Sequence, residues 1–365
     1  MIVKARGGKS CSVGRVSQET ETPQPQTRPM VDWSLAASTG ALLVRGGPQV
    51  PRGEAETAVT DLRELTMEAE GHVRELTGLG LQLPLLPGEV VDRPGWVRSA
   101  AAGLDALTGH ALPQQGGPFG PILAGGAGVQ TGLVLAFLAS RVLGQYDPFG
   151  GPERAGQLLL VAPNVVAAER AMQVDAHDFR LWVCLHECTH RLQFTAVTWL
   201  RDYFADEVER LVSGLAGNGS DGLSDLVGRL PEAIKQGPKL GIAELLQSPK
   251  ERAVFERLLA LSTLLEGHAD YVMDAVGPRV VPSVDTIRAR FTARRKGGGV
   301  FDRLLRALLG VDAKIRQYEE GAKFTRYVVD AVGMDGFNAV WRSPNTLPSR
   351  AEITDPAAWV RRLHG

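Results

Sequence analysis

The chain has 365 residues, 44% hydrophobic and 22% charged, with a formal net charge of -1. Those proportions belong to a folded globular protein, large enough for one big domain or two. The near-zero charge removes the electrostatic case for nucleic acid or an acidic membrane as partner. Three cysteines, Cys11, Cys184 and Cys188, are too few and odd in number for a disulfide framework, so a reducing cytoplasm fits best.

The first 30 residues are rich in Ser, Thr, Gln, Gly and Pro and lack the apolar run of a signal peptide, so a disordered leader or a mispredicted start is expected there. Residues 31–365 are expected to form one domain, with a point of subdivision near residue 150. Asp32 or Ser34 should cap a short first helix. Glu54 to Leu76 has the pattern of a surface amphipathic helix with His72 exposed. Leu79 to Pro94, broken by prolines, reads as an extended connection. Trp96 to Leu112 is a second helix, whose His110 suits the negative end of the helix dipole. Ile122 to Leu143 is strongly apolar. Gln130 and Arg141 leave fewer than the ~18 consecutive apolar residues of a spanning helix, so a buried core helix is expected.

Gln157 to Ala162 is the one convincing strand, stopped by Pro163-Asn164, and Val165 to Met172 is a short helix. Asp175 or Asp178 should cap the next helix, and the helical pattern continues over Thr198 to Ser213. Gly214 to Gly222 is a flexible loop, followed by a short helix over Leu223 to Ile234. Pro249 opens a long helix over Lys250 to Val276, and Gly277 to Pro282 reads as a turn. The basic run Arg288, Arg290, Arg294, Arg295 and Lys296 lacks interleaved aromatics and reads as a solvated helix end. Phe301 to Leu309 and Ala313 to Val332 are further helices, and the C-terminal stretch from Phe337 wraps over the body. The expected fold is mainly α, with one or a few short β-strands.

The chemistry lies in Phe179-Arg-Leu-Trp-Val-Cys-Leu-His-Glu-Cys-Thr-His-Arg-Leu-Gln-Phe194. Within it, His186-Glu187-Cys188-Thr189-His190 matches the H-E-x-x-H pattern of zinc hydrolases. Residues four apart lie one above the other on a helix, so both imidazoles can hold one metal ion. Glu187, about 100° round the helix, is placed to act on water as a general base instead. Phe179, Trp182, His186, His190 and Gln193 recur at helical spacing, so the histidines share an apolar face that should be buried. Buried imidazoles need polar partners or a metal. Cys184 and Cys188 fall on the far face, as small core residues.

A catalytic zinc takes three protein ligands and leaves one position open. The best source of the third is Leu264-Leu-Glu266-Gly-His268-Ala-Asp270-Tyr-Val-Met-Asp274. Glu266 and Asp270 share a face, which suits Glu266 as ligand and Asp270 as the carboxylate holding the other ring nitrogen of a histidine. His268, about 200° round from Glu266, is the alternative ligand, because only one of the two can face the metal. Asp274 shares the Glu266 face, as further support or as an ion-pair partner. Tyr271, Tyr318 and Tyr327 are candidate donors to an oxyanion.

The E-x-x-x-D turn downstream of H-E-x-x-H resembles the arrangement in gluzincin metallopeptidases, which implies Glu266 as third ligand and Asp270 as support. The distance from His190 to Glu266, 76 residues, departs from the usual short spacing. More closely, Arg141 to Asp147, Leu181 to Phe194, Glu266 to Asp270 and Trp341-Arg-Ser-Pro-Asn-Thr-Leu-Pro348 resemble the zincin-like metallopeptidase type 2 family. That family is found mainly in actinobacteria and related lineages, and some members carry labels tying them to deazaflavin coenzyme biosynthesis. The resemblance covers Val31 to the C-terminus and implies a zincin-like, largely helical fold holding Zn2+. The function expected is hydrolysis of an amide or peptide bond. The alternatives are an inactive zincin-like scaffold, or an amidohydrolase acting on a small molecule in a cofactor pathway.

Overall fold

The computed structural model describes residues 28–109, 114–115, 120–217, 248–296 and 314–365. Most of the expected leader, with Cys11, lies outside those residues, as do His110, the helices at 223–234 and 301–309, and the Gly214–Gly222 loop beyond Gly217. The described part is mainly helical with two small sheets. No helix among the described residues is long and apolar enough to cross a membrane.

The short strand β1 (Arg28–Pro29) pairs antiparallel with β3 (Gln114–Gln115). Between them come α1 (Trp33–Leu43), α2 (Arg52–Thr77), β2 (Glu89–Val91) and α3 (Arg93–Thr108). Asp32 caps α1 by accepting a hydrogen bond from the Leu35 amide, and Asp92 caps α3 through the Gly95 amide. The stretch expected to be only an extended connection therefore contains a strand, β2. The apolar helix α4 (Gly120–Ala139) follows, then β4 (Gly144–Asp147), β5 (Gln157–Val161) and α5 (Ala162–Met172).

The second sheet has the order β2-β5-β4, with β2 parallel and β4 antiparallel to the central β5. Side chains alternate across a strand, and β5 uses both faces. Leu158 and Leu160 join a large core built by α2, α5 and the helices that follow, whereas Leu159 and Val161 join Trp96, Val97, Ala100, Leu135 and Ala139 of α3 and α4. The expected burial of the apolar helix is met on that second face, while Val129 and Leu133 remain exposed.

The remaining helices are α6 (Ala176–Ala196), α7 (Leu200–Gly217), α8 (Pro249–Val280), α9 (Val284–Lys296), α10 (Lys314–Phe337), α11 (Arg350–Thr354) and α12 (Pro356–His364). A capping box between Ser248 and Glu251 starts α8, with Pro249 at its first position. The expected turn from Gly277 does not form there: α8 runs on through Pro278, and the Val281 amide closes the last turn on the Gly277 carbonyl. Gly267 of α8 meets Gly321 of α10 so closely that a Cβ at 267 would lie 2.1 Å from the Gly321 carbonyl carbon. Only glycine permits that crossing, and it fixes the helix carrying Glu266.

The helix α2 is more buried than a surface helix should be. Glu70, almost fully buried, forms ion pairs with Arg74 and with Arg191 of α6. Both guanidinium groups also donate to the connection after α2: Arg74 to the Leu83 and Pro84 carbonyls, Arg191 to that of Leu86. His72, by contrast, is partly exposed between Glu68 and Glu75.

Candidate active site

The helix α6 begins at Asp175, whose carboxylate accepts from the Asp178 amide, as the expected cap does. It is buried almost all round. Phe179 stacks near Trp182, whose ring meets the edge of Phe291. Cys188 donates to the Thr66 carbonyl of α2, and both helix cysteines are fully buried against that side. Burial raises both thiols, Cys188 to about 12, which makes them inert core groups.

The opposite face carries His186 and His190, each half-buried. Their Nε2 atoms lie 3.1 Å apart. Glu266, from α8, turns its carboxylate to both: Oε2 is 3.6 Å from Nε2 of His186, and Oε1 is 3.7 Å from Nε2 of His190. Among the described residues these three form a group whose ligand atoms all lie within 4.8 Å of one another. Two ring nitrogens and a carboxylate oxygen converging on one point are a donor set that suits zinc. The partial exposure of all three leaves room for a further ligand or a substrate.

Glu187 sits beside this group with 7% of its surface exposed. Its pKa is pushed up to about 8, first by burial and then by the nearby charge of Glu266. Gly144 of β4 lies against it, so the edge strand forms part of the wall around this carboxyl. Tyr146, two residues on and therefore on the same face of β4, stacks on Phe194 of α6.

On the far side of the histidine pair, Nδ1 of His190 is 2.9 Å from Oε1 of Gln193. Gln193 donates from Nε2 to the Leu265 carbonyl at 3.0 Å and reaches Nδ1 of His268 at 3.0 Å. His268 is completely buried, its ring stacked on Phe337. Burial above all, with His190 nearby, pushes its pKa down to about 3, so the ring is neutral. Of the two candidates for a third ligand, Glu266 faces the histidine pair and His268 faces Gln193.

Nδ1 of His186 lies 3.3 Å from the Met273 sulfur. Asp270 is one turn beyond Glu266 on α8, and its backbone carbonyl accepts from Arg288. Asp274 is an ion-pair partner, held by Arg288 and Arg326. Tyr271 is within electrostatic reach of Asp330 and Arg326 on α10, and Tyr327 is 46% exposed. The side chain of Tyr318 lies outside the described residues. Gly144 and the bridging contacts of Gln193 were not legible in the sequence. The recurrence of Gln193 at the helical spacing of the histidines was the available sign of the second.

Comparison with known proteins identifies the family. The profile of the zincin-like metallopeptidase family matches residues 31–360, nearly the whole chain. A solved structure from Chloroflexus aurantiacus, provisionally described as a hydrolase with a novel fold, is 28% identical and aligns with a TM-score of 0.64. The alignment covers 91% of this chain and 98% of that one. No curated protein matches. The chain belongs to the zincin-like metallopeptidase family, which implies a metal-dependent hydrolase.

Proposed function

We propose that this zincin-like metallopeptidase hydrolyses an amide bond, with zinc held by His186, His190 and Glu266 and with Glu187 as general base. The observation that carries the reading is the convergence of those three donor groups beside the buried carboxyl of Glu187. A bound zinc ion would supply Lewis acidity, polarising the scissile carbonyl and lowering the pKa of water towards ~7.

The protein's own groups do the rest. A Glu187 carboxylate oxygen takes one proton from the attacking water, whose oxygen joins the carbonyl carbon. The same oxygen then delivers that proton to the leaving nitrogen as the C–N bond breaks. Asp270 supports the ligand set by orienting a histidine ring. Because β4 ends its sheet among the described residues and its Gly144 touches Glu187, an extended peptide added along that edge would pass near the general base. This favours a peptide over a small isolated amide.

The test is metal analysis of the purified protein alongside His190→Ala, Glu266→Ala and Glu187→Gln. Zinc should be lost from the first two and kept by the third. Glu187→Gln should lose at least ~10²-fold in hydrolysis of model peptides. Full activity in Glu187→Gln would sink the general-base assignment, and zinc surviving Glu266→Ala would remove Glu266 from the ligand set.

A further inference from the structure

We propose that Gln193 is a positioning residue of the metal centre: it fixes the His190 tautomer and ties the Glu266 helix to the motif helix. The inference rests on the zinc-site reading above, and deepens it. The amide orientation of a glutamine is read from its partners, and here one partner decides. The Leu265 carbonyl can only accept, so the atom of Gln193 facing it at 3.0 Å must be the NH2 group. Oε1 therefore faces His190, and an acceptor 2.9 Å from Nδ1 calls for a proton on that nitrogen.

A neutral imidazole protonated on Nδ1 has its lone pair on Nε2. That is the nitrogen aimed at His186 and Glu266. The second N–H of the amide goes to Nδ1 of His268, which must then be the acceptor nitrogen of a neutral ring. Full burial of His268 favours that neutral form. Every polar position of the Gln193 amide is thus assigned, and the proton this leaves on Nε2 of His268 is buried without a hydrogen-bond partner.

The same amide acts as a brace. Leu265 and His268 flank Glu266 on α8, so both contacts fall next to the third donor. One side chain from the motif helix thereby sets a ring orientation on its own helix and the height of the carboxylate on the facing one. Gln193 is completely buried, so water does not compete for these bonds.

The first measurement needs no substitution. Long-range 15N–1H correlation of the histidine rings in the metal-free protein, above the pH at which they titrate, reports which nitrogen carries the proton. His190 should be protonated on Nδ1, and a His190 ring protonated on Nε2 overturns the proposal. The second is competition titration of zinc against a chromophoric chelator, for the parent and for Gln193→Met, which keeps the length and removes the amide. Zinc affinity should fall about 10–100-fold, with His190 passing to a mixture of tautomers. A merely structural Gln193 would lower thermal stability while leaving the His190 tautomer and the affinity of the folded protein unchanged, and that outcome also overturns the proposal. A parent chain that takes up no zinc fails the zinc-site reading itself, and the tautomer of His190 then decides on Gln193 alone.

Discussion

Gly144 of β4 and Glu187 of α6 touch in a way that no side chain at position 144 would allow. A Cβ there would lie 2.6 Å from Cγ of Glu187 and 2.9 Å from Oε1. Gly144→Ala should therefore displace the carboxyl, and displacement by ~1 Å can cost ~10²-fold in rate. Overpacking should lower stability by about 1–3 kcal/mol. Steady-state kinetics beside zinc analysis checks this: kcat should fall while zinc content stays at the parent's level.

The raised pKa of Glu187 has a signature in the metal-free protein. Its ordinary value is near 4.5, and in the fold it is about 8. Between those values the unfolded chain releases a proton that the folded protein retains, so stability falls as pH rises through that window. Below 4.5 and above 8 this contribution is flat. Denaturant titrations from pH 4 to 9 should show a loss of a few kcal/mol in the metal-stripped parent that Glu187→Gln lacks. Parallel curves for the two proteins would contradict the assignment.

Metal removal should also be visible in stability at a fixed pH. A ligand bound only by the folded state stabilises it by about 4 kcal/mol when present at ~1,000 times its Kd. Chelation followed by scanning calorimetry should give a lower melting temperature, and added zinc should restore it. The His190→Ala protein should melt at the same temperature with and without zinc.

Glu70 pairs with two buried guanidinium groups, Arg74 and Arg191. Removing one partner of a buried ion pair strands the other charge and costs about 3–5 kcal/mol. Glu70→Ala should show a loss of that order in guanidinium chloride unfolding. A change below ~1 kcal/mol would mean that solvent reaches both arginines.

The sequence displays what local periodicity encodes. The i, i+4 histidines, the cap at Asp175, the opening of α8 at Pro249 and the Gln157 strand all follow from spacing and turn chemistry within a few residues. Glu266 was legible because it lies four residues before Asp270, on the same face of one helix. What stayed hidden depends on distant partners. β4 contains Gly144, Gln145 and Asp147, poor strand formers that extend because β5 pairs with them. The contact of Gly144 with Glu187 and that of Gln193 with α8 join segments with no fixed spacing between them. Pro278 misled in the other direction: it lies in the last turn of α8, where the helix continues for two residues beyond it.

The strand β5 has one more consequence. Its alternate residues belong to two cores, and it pairs with β2 from before residue 150. Loosening either core strips one face of Leu158 to Val161 and withdraws support from the other. A chain cut near 150 would leave β2 without its only partner among the described strands. The two ends of the molecule should therefore melt together, with a calorimetric to van't Hoff enthalpy ratio of about 1 in the metal-free protein. Folding of the helix bundle and folding of the zinc-ligand face would then be one event.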